Sequence, residues 1–161
     1  MTYRRLRNDE LAELETAFAR FLAVNGIPAD DWIKIKAEDG KRTEELIESF
    51  SDVVFHETLT KLEYLEFKSK NEIRIFHCLP EKIILRGLMV DGDTSLDFTQ
   101  QEDAKVMLAK MQESGAKLSM FVSEKSYKDN KREAELFAMM EAGCRTSDGS
   151  LFVMLKSLEV E

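Results

Sequence analysis

The sequence is poor in the residues that punctuate or staple a chain: two cysteines, two prolines, seven glycines and one tryptophan in 161 residues. Two cysteines, Cys78 and Cys144, are too few for a disulfide scaffold, and they fit a pair of free thiols in a reducing cytoplasm. Glycine and proline are spread rather than clustered, which excludes collagen and low-complexity disorder and marks no linker. No apolar run approaches the roughly 20 residues that span a bilayer. The N-terminal stretch TYRRLRNDEL passes from charge straight into a helix start, without the apolar core of a signal peptide. A cytoplasmic protein with no membrane partner is expected. Basic charge is also short: 23 Lys and Arg against 31 Asp and Glu leave a net charge of −8. Such a chain repels phosphate backbones on average, so nucleic acid is not an expected partner. The basic stretch Tyr3-Arg4-Arg5-Leu6-Arg7 is short, and it reads as a solvated arm or as arginines paired with the carboxylates that follow. The GxSxG, Walker, GxGxxG and HExxH patterns are all absent.

What is present is a chain with 43% hydrophobic residues, long enough to bury its own core, and a single domain over residues 1–161 is expected. Leu11, Leu14, Phe18, Phe21 and Leu22 recur at helical spacing, with Asn8 as N-cap and Gly26 as stop. A short helix follows Pro28 and ends before Gly40. A third covers Lys41 to about Lys61, with a β-branched middle (SFSDVVF) that favours a bend or break. The period then shifts toward two. Residues 61–69, 72–79 and 82–90 read as strands of an antiparallel meander. Thr99 and Glu102 form a capping-box pattern that opens a helix to Ser114, with Gly115 as stop. A strand at 118–124, a helix from Asp129 to Ala142 and a strand at 150–160 complete the chain. The expected fold is α+β: an N-terminal helical block packed on a mixed, mainly antiparallel five-stranded sheet with two further helices. The two strands that follow helices are expected to run parallel to their neighbours through right-handed crossovers.

Candidate sites are few. In DGDTSLDFTQQE (91–102), Asp91, Asp93, Ser95, Asp97, Thr99 and Glu102 match the spacing with which an EF-hand loop wraps a calcium ion. Leu96 stands where that loop turns on glycine, and a strand rather than a helix leads in. A turn at Asp91-Gly92 followed by a helix cap accounts for the same residues. His56, His77, Cys78 and Cys144 lack the paired spacing of a zinc site, and adjacent His77 and Cys78 point to opposite faces of their strand. Cys144 follows a helix C-terminus, where the dipole disfavours a thiolate. Seven of the eight methionines lie from Met89 onward. Methionine fills irregular cores and also lines adaptable grooves for partner peptides. Met107 and Met111 on one helix, Met139 and Met140 on the next, and Trp32 as an anchor are the candidate partner-binding residues.

The stretches YRRL (3–6), FLAVNGI (21–27), DDWIKIK (30–36), FSDVVF (50–55), LEYLEFK (62–68), DFT (97–99) and EAELFAMMEAGC (133–144) resemble a family of small bacterial proteins known only as a domain of unknown function. The resemblance covers essentially the whole chain. It implies a bacterial, cytosolic housekeeping or regulatory protein and brings no activity, cofactor or catalytic residue. The expected function is a non-enzymatic protein–protein interaction or regulatory domain without a cofactor, burying an apolar patch against a protein partner or a second copy. The alternative expectation is a divalent-cation-dependent enzyme or sensor that holds Ca2+ or Mg2+ on Asp91, Asp93, Asp97 and Glu102.

Overall fold

Helix-forming periodicity gives way to strand alternation just after Lys61, and the architecture changes at the same place. The computed structural model describes residues 2–91, 96–100, 102–115 and 117–158. The chain divides into two compact units, residues 1–60 and 61–161. The first holds helices and the second a five-stranded sheet with helices, so the fold is α+β as expected.

The first unit contains α1 (Asn8–Glu13), α2 (Glu15–Val24), α3 (Ala29–Glu38) and α4 (Gly40–Lys61), the last ending at the boundary. The first expected helix is two, because the turn tightens at Leu14, whose N–H donates to the Leu11 carbonyl three residues back. The cap falls one residue earlier than Asn8: Glu10 reaches back to accept from the Arg7 N–H at 2.8 Å. Arg4 forks onto the same Glu10 carboxylate at 2.9 and 3.2 Å. The Arg4 hydrogen bonds, with the Arg7 N–H behind them, outweigh burial and hold the Glu10 pKa down to about 2. Arg5 forks onto Glu44 of α4 at 2.7 and 3.1 Å. Two arginines of the basic arm are thus committed to carboxylates of their own unit. Aromatic rings fill its interior. Phe18 meets the Trp32 ring edge-on at 5.1 Å and the Phe50 ring at 4.8 Å. α4 does not break at SFSDVVF. Ser51, fully buried, donates to the Ile47 carbonyl at 2.7 Å and accepts from the Leu6 N–H at 2.9 Å, so the helix middle is held from two sides. The β-branched penalty, about 0.5 kcal/mol per residue or less, loses to that anchoring and to the packed rings.

In the second unit β1 (Tyr64–Ser69), β2 (Glu72–Cys78) and β3 (Lys82–Asp91) form the expected meander, joined by β4 (Lys117–Ser126) and β5 (Arg145–Thr146) in the order β4-β3-β2-β1-β5. Between them lie α5 (Ala104–Ser114), α6 (Arg132–Glu141) and α7 (Ser150–Leu158). Strand alternation puts Tyr64, Ile73, Ile75, His77, Leu88 and Val90 on one face. Ile73, Ile75, Leu88 and Val90 share a buried core with Met107 and Met111 of α5 and with Leu151, Phe152, Met154 and Leu155 of α7. Leu96 and Phe98 plug the same core, and the Phe98 N–H donates to the Lys70 carbonyl at 3.1 Å.

Three expectations are corrected. First, the sheet is not mixed: every strand pair is antiparallel among the described residues. Asp91, the last residue of β3, lies in register with Lys117, the first of β4, so the connection through α5 leaves and returns at the same end of the sheet. Second, the final segment is the helix α7 and not a strand. Its buried positions 151, 152, 154 and 155 follow a helical stripe, and its first turn is fixed by Asp148 accepting from the Ser150 N–H at 2.9 Å. Gly149 in front of it has φ +87°, and a Cβ there would stand 2.6 Å from the Tyr64 ring. Third, α5 opens at Ala104 under an Asp103 cap that accepts from the Val106 N–H at 2.8 Å, not under Thr99. α6 likewise opens at Arg132 rather than Asp129, because Asp129 and Asn130 both take φ 55° in a short 3-10 turn.

Arg132 ties α6 to the sheet. Its guanidinium donates to the carbonyls of Leu62 (2.5 Å), Cys78 (3.1 Å) and Leu79 (3.2 Å), and the Tyr127 hydroxyl donates to the same Leu79 oxygen at 2.7 Å. Charged hydrogen bonds are among the more valuable. Arg132→Met is expected to lower stability by about 2–3 kcal/mol, read as a fall in the urea midpoint at unchanged slope. A change within about 0.5 kcal/mol would contradict this role.

Candidate functional site

β4 is paired on one side only. It ends the strand order, and among the described residues no strand lies beyond it. At ten residues it is as long as β3, the strand it pairs with, and it is exposed along nearly all its length. Its side chains alternate between faces. Leu118, Met120 and Val122 stand opposite Val90, Leu88 and Arg86 on the face that carries α7, and they are 36%, 36% and 48% exposed. Ser119, Phe121 and Ser123 alternate with them. The Phe121 ring reaches over Gly87 of β3, where an added Cβ would fall 2.0 Å from it, and its centroid lies 6.0 Å from the Arg74 guanidinium. Glycine at 87 therefore seats the ring and keeps β4 flush against β3 at mid-strand. The charged ends are Lys117, Glu124 and Lys125. Lys82 approaches Glu124 at 3.3 Å, and Lys125 pairs with Glu135. Among the described residues the result is a long edge with no strand beyond it and an apolar stripe along one face, the arrangement that receives an added strand.

A concave region lies at the other edge of the sheet. Cavities of about 300 and 320 Å3 flank Glu66 and Lys68, one bordered by Thr99, Gln100 and Arg145, the other by Glu102, Asp148 and Ser150. Glu66, Lys68, Glu102, Asp103 and Asp148 in it are engaged within the chain. Lys68 approaches Glu66 at 3.2 Å, Glu102 pairs with Lys110, Asp103 caps α5 and Asp148 caps α7.

A family profile matches residues 1–159. The chain belongs to DUF6495, a family of unknown function. No curated protein and no solved structure matches it. Family membership therefore carries no residue roles, and the DUF6495 site has to be judged from its own geometry.

The residues singled out from sequence are scattered across this DUF6495 chain. Asp91 ends β3 opposite Lys117. Asp97 accepts from the Thr99 hydroxyl (2.5 Å) and N–H (2.9 Å), and those bonds, the hydroxyl's first, lower its pKa. Glu102 is held by Lys110. Asp93 lies outside the described residues. Among the described residues no group of three His, Cys, Asp or Glu is placed to share a metal. Met107 and Met111 are core residues, buried at the α5–α7 side of the sheet. Met139 and Met140 are half-buried on α6. Trp32 is half-buried against Phe18, with Lys36 over its ring at 5.6 Å. Leu118 and Val122 were not singled out, although their alternation with Ser119 and Ser123 between Lys117 and Lys125 is legible as a two-faced strand.

The thiols are not activated. Burial pushes Cys78 up to about 11 and raises Cys144 as well. His77 stacks on Tyr64 at 4.5 Å and meets Phe152 edge-on at 5.2 Å. Burial lowers its pKa below the ordinary 6.5, with Glu63 opposing and Lys156 reinforcing the shift. The folded chain thus holds His77 neutral, while the unfolded chain takes up the proton first as pH falls. Its contribution to stability is present above pH 6.5 and is lost as pH falls toward the lowered value. His77→Phe keeps the ring stack and cannot titrate, so the stability gap between wild type and variant is expected to shift in the variant's favour between pH 7 and pH 5, read from urea midpoints. A gap independent of pH would contradict the neutral assignment.

Proposed function

We propose that this DUF6495 chain is a non-enzymatic protein-interaction domain whose β4 edge accepts an extended partner segment with apolar residues at every second position. The observation that carries the reading is the alignment of Leu118, Met120 and Val122 on one face of a ten-residue edge strand. An added antiparallel strand would gain main-chain hydrogen bonds from the edge and apolar contact from the stripe, with specificity set by alternate side chains. The raised thiols support binding rather than thiolate nucleophilic chemistry. Two free thiols are in keeping with a reducing bacterial cytoplasm as the location that accompanies this reading.

The test is a titration of dilute protein into a labelled peptide with Val at every second position, followed by fluorescence anisotropy. Wild type is expected to bind, and Met120→Lys to bind about ten-fold more weakly with an unchanged circular dichroism spectrum. No binding by wild type, or equal binding by the variant, would overturn the reading.

A further inference from the structure

Resting on that reading, we propose that the strand received by β4 is β4 of a second copy, paired antiparallel about a two-fold axis at Met120. The support is the self-complementarity of the strand. In a symmetric antiparallel pair each residue faces a same-face residue of the other copy, so the axis falls on one residue and the choice of that residue fixes every opposition. An axis at Met120 sets Leu118 against Val122 of the second copy, Met120 against its counterpart and Val122 against Leu118. The whole exposed stripe meets itself, and Lys117 faces Ser123. An axis at Phe121 opposes Lys117 to Lys125 twice and Leu118 to Glu124. An axis at Val122 opposes Met120 to Glu124. An axis at Ser119 shortens the ladder to residues 117–121 and leaves Val122 beyond the paired strand. Like charges directly across a ladder destabilise it and apolar pairs stabilise it, so charge and apolar matching select the Met120 register together.

The contact is small. Seven paired residues and three partly exposed side chains fall short of the roughly 800 Å2 per partner of a permanent interface. The dimer therefore forms and dissociates with concentration. The net charge of −8 on each copy opposes association at low ionic strength. The strand itself, carrying Lys117, Glu124 and Lys125, is not acidic, so added salt favours pairing by screening the rest.

Sedimentation equilibrium across a hundred-fold dilution tests self-association. The weight-average mass is expected to rise from monomer toward dimer with concentration, and to stay monomeric in Met120→Lys, which would bring two ammonium groups together at the axis. Register is tested by mild oxidation of single-cysteine variants made in a Cys78→Ala, Cys144→Ser background, each checked for folding by circular dichroism. Met120→Cys is expected to form a disulfide dimer, because directly opposed Cα atoms lie roughly 4.5–5.5 Å apart, within disulfide reach. Val122→Cys is not, because its two copies would lie roughly 13 Å apart along the ladder. A protein that stays monomeric at every concentration, or Val122→Cys crosslinking as readily as Met120→Cys, overturns the proposal. Where the protein is monomeric yet the alternating-valine peptide still binds, only self-pairing fails. Where neither occurs, strand addition fails with it.

Discussion

Every backbone N–H and C=O withdrawn from water needs a partner, and a sheet meets that need only where a strand has neighbours on both sides. The interior strands β1, β2 and β3 have them, and their buried residues Leu65, Ile73, Ile75 and Leu88 are fully covered. Among the described residues β4 has a neighbour on one side. The rest of the second unit is arranged around that asymmetry. α5 and α7 deliver Met107, Met111, Phe152 and Leu155 onto the sheet, and Arg132 anchors α6 to the carbonyls of Leu62, Cys78 and Leu79. Leu118, Met120 and Val122 continue the apolar face past the point where helices cover it. Natural edges are commonly blunted by short strands, bulges or prolines. β4 is long and has neither proline nor glycine, and lysines near its two ends restrict the registers in which it can pair without like-charge opposition.

Much of this was legible in the sequence where the signal is local. Heptad-like spacing in Leu11, Phe18 and Leu22 gave helices, and alternation between Tyr64 and Val90 gave the meander. What failed was not local. SLFVMLKSL is apolar enough to suit a buried strand or a buried helix, and only the docking of Leu151, Phe152, Met154 and Leu155 on the sheet selects the helix. Spacing suggests a parallel β4, but a strand–helix–strand segment runs parallel only if the connection crosses to the other end of the sheet. Here Asp91 and Lys117 lie side by side. β5, two residues long, carries no periodicity to detect.

Side-chain identity in the sequence does not fix where a residue comes to lie. Met107 and Met111 stand at helical spacing whether they face a partner or a core, and the packing of α5 buries them. The acidic spacing of Asp91, Asp97 and Glu102 resembles a cation loop until their neighbours are placed, when Thr99 and Lys110 engage the latter two and Leu96 and Phe98 turn inward. The Leu118-Met120-Val122 alternation was visible, but a strand's place at the end of a sheet depends on every other pairing. The basic arm shows the opposite case. Arg4 lies six residues from Glu10, close enough for pairing to be read from sequence, and the fork forms.

The open edge can be observed directly by amide hydrogen exchange on protein dilute enough to be monomeric. With β3 on one side and water on the other, β4 is expected to show alternating protection: slow exchange where the N–H points to β3 and exchange near the unprotected rate at every second residue between Lys117 and Ser126. Uniform slow exchange along β4 would mean that another part of the chain covers the edge, and would contradict the account.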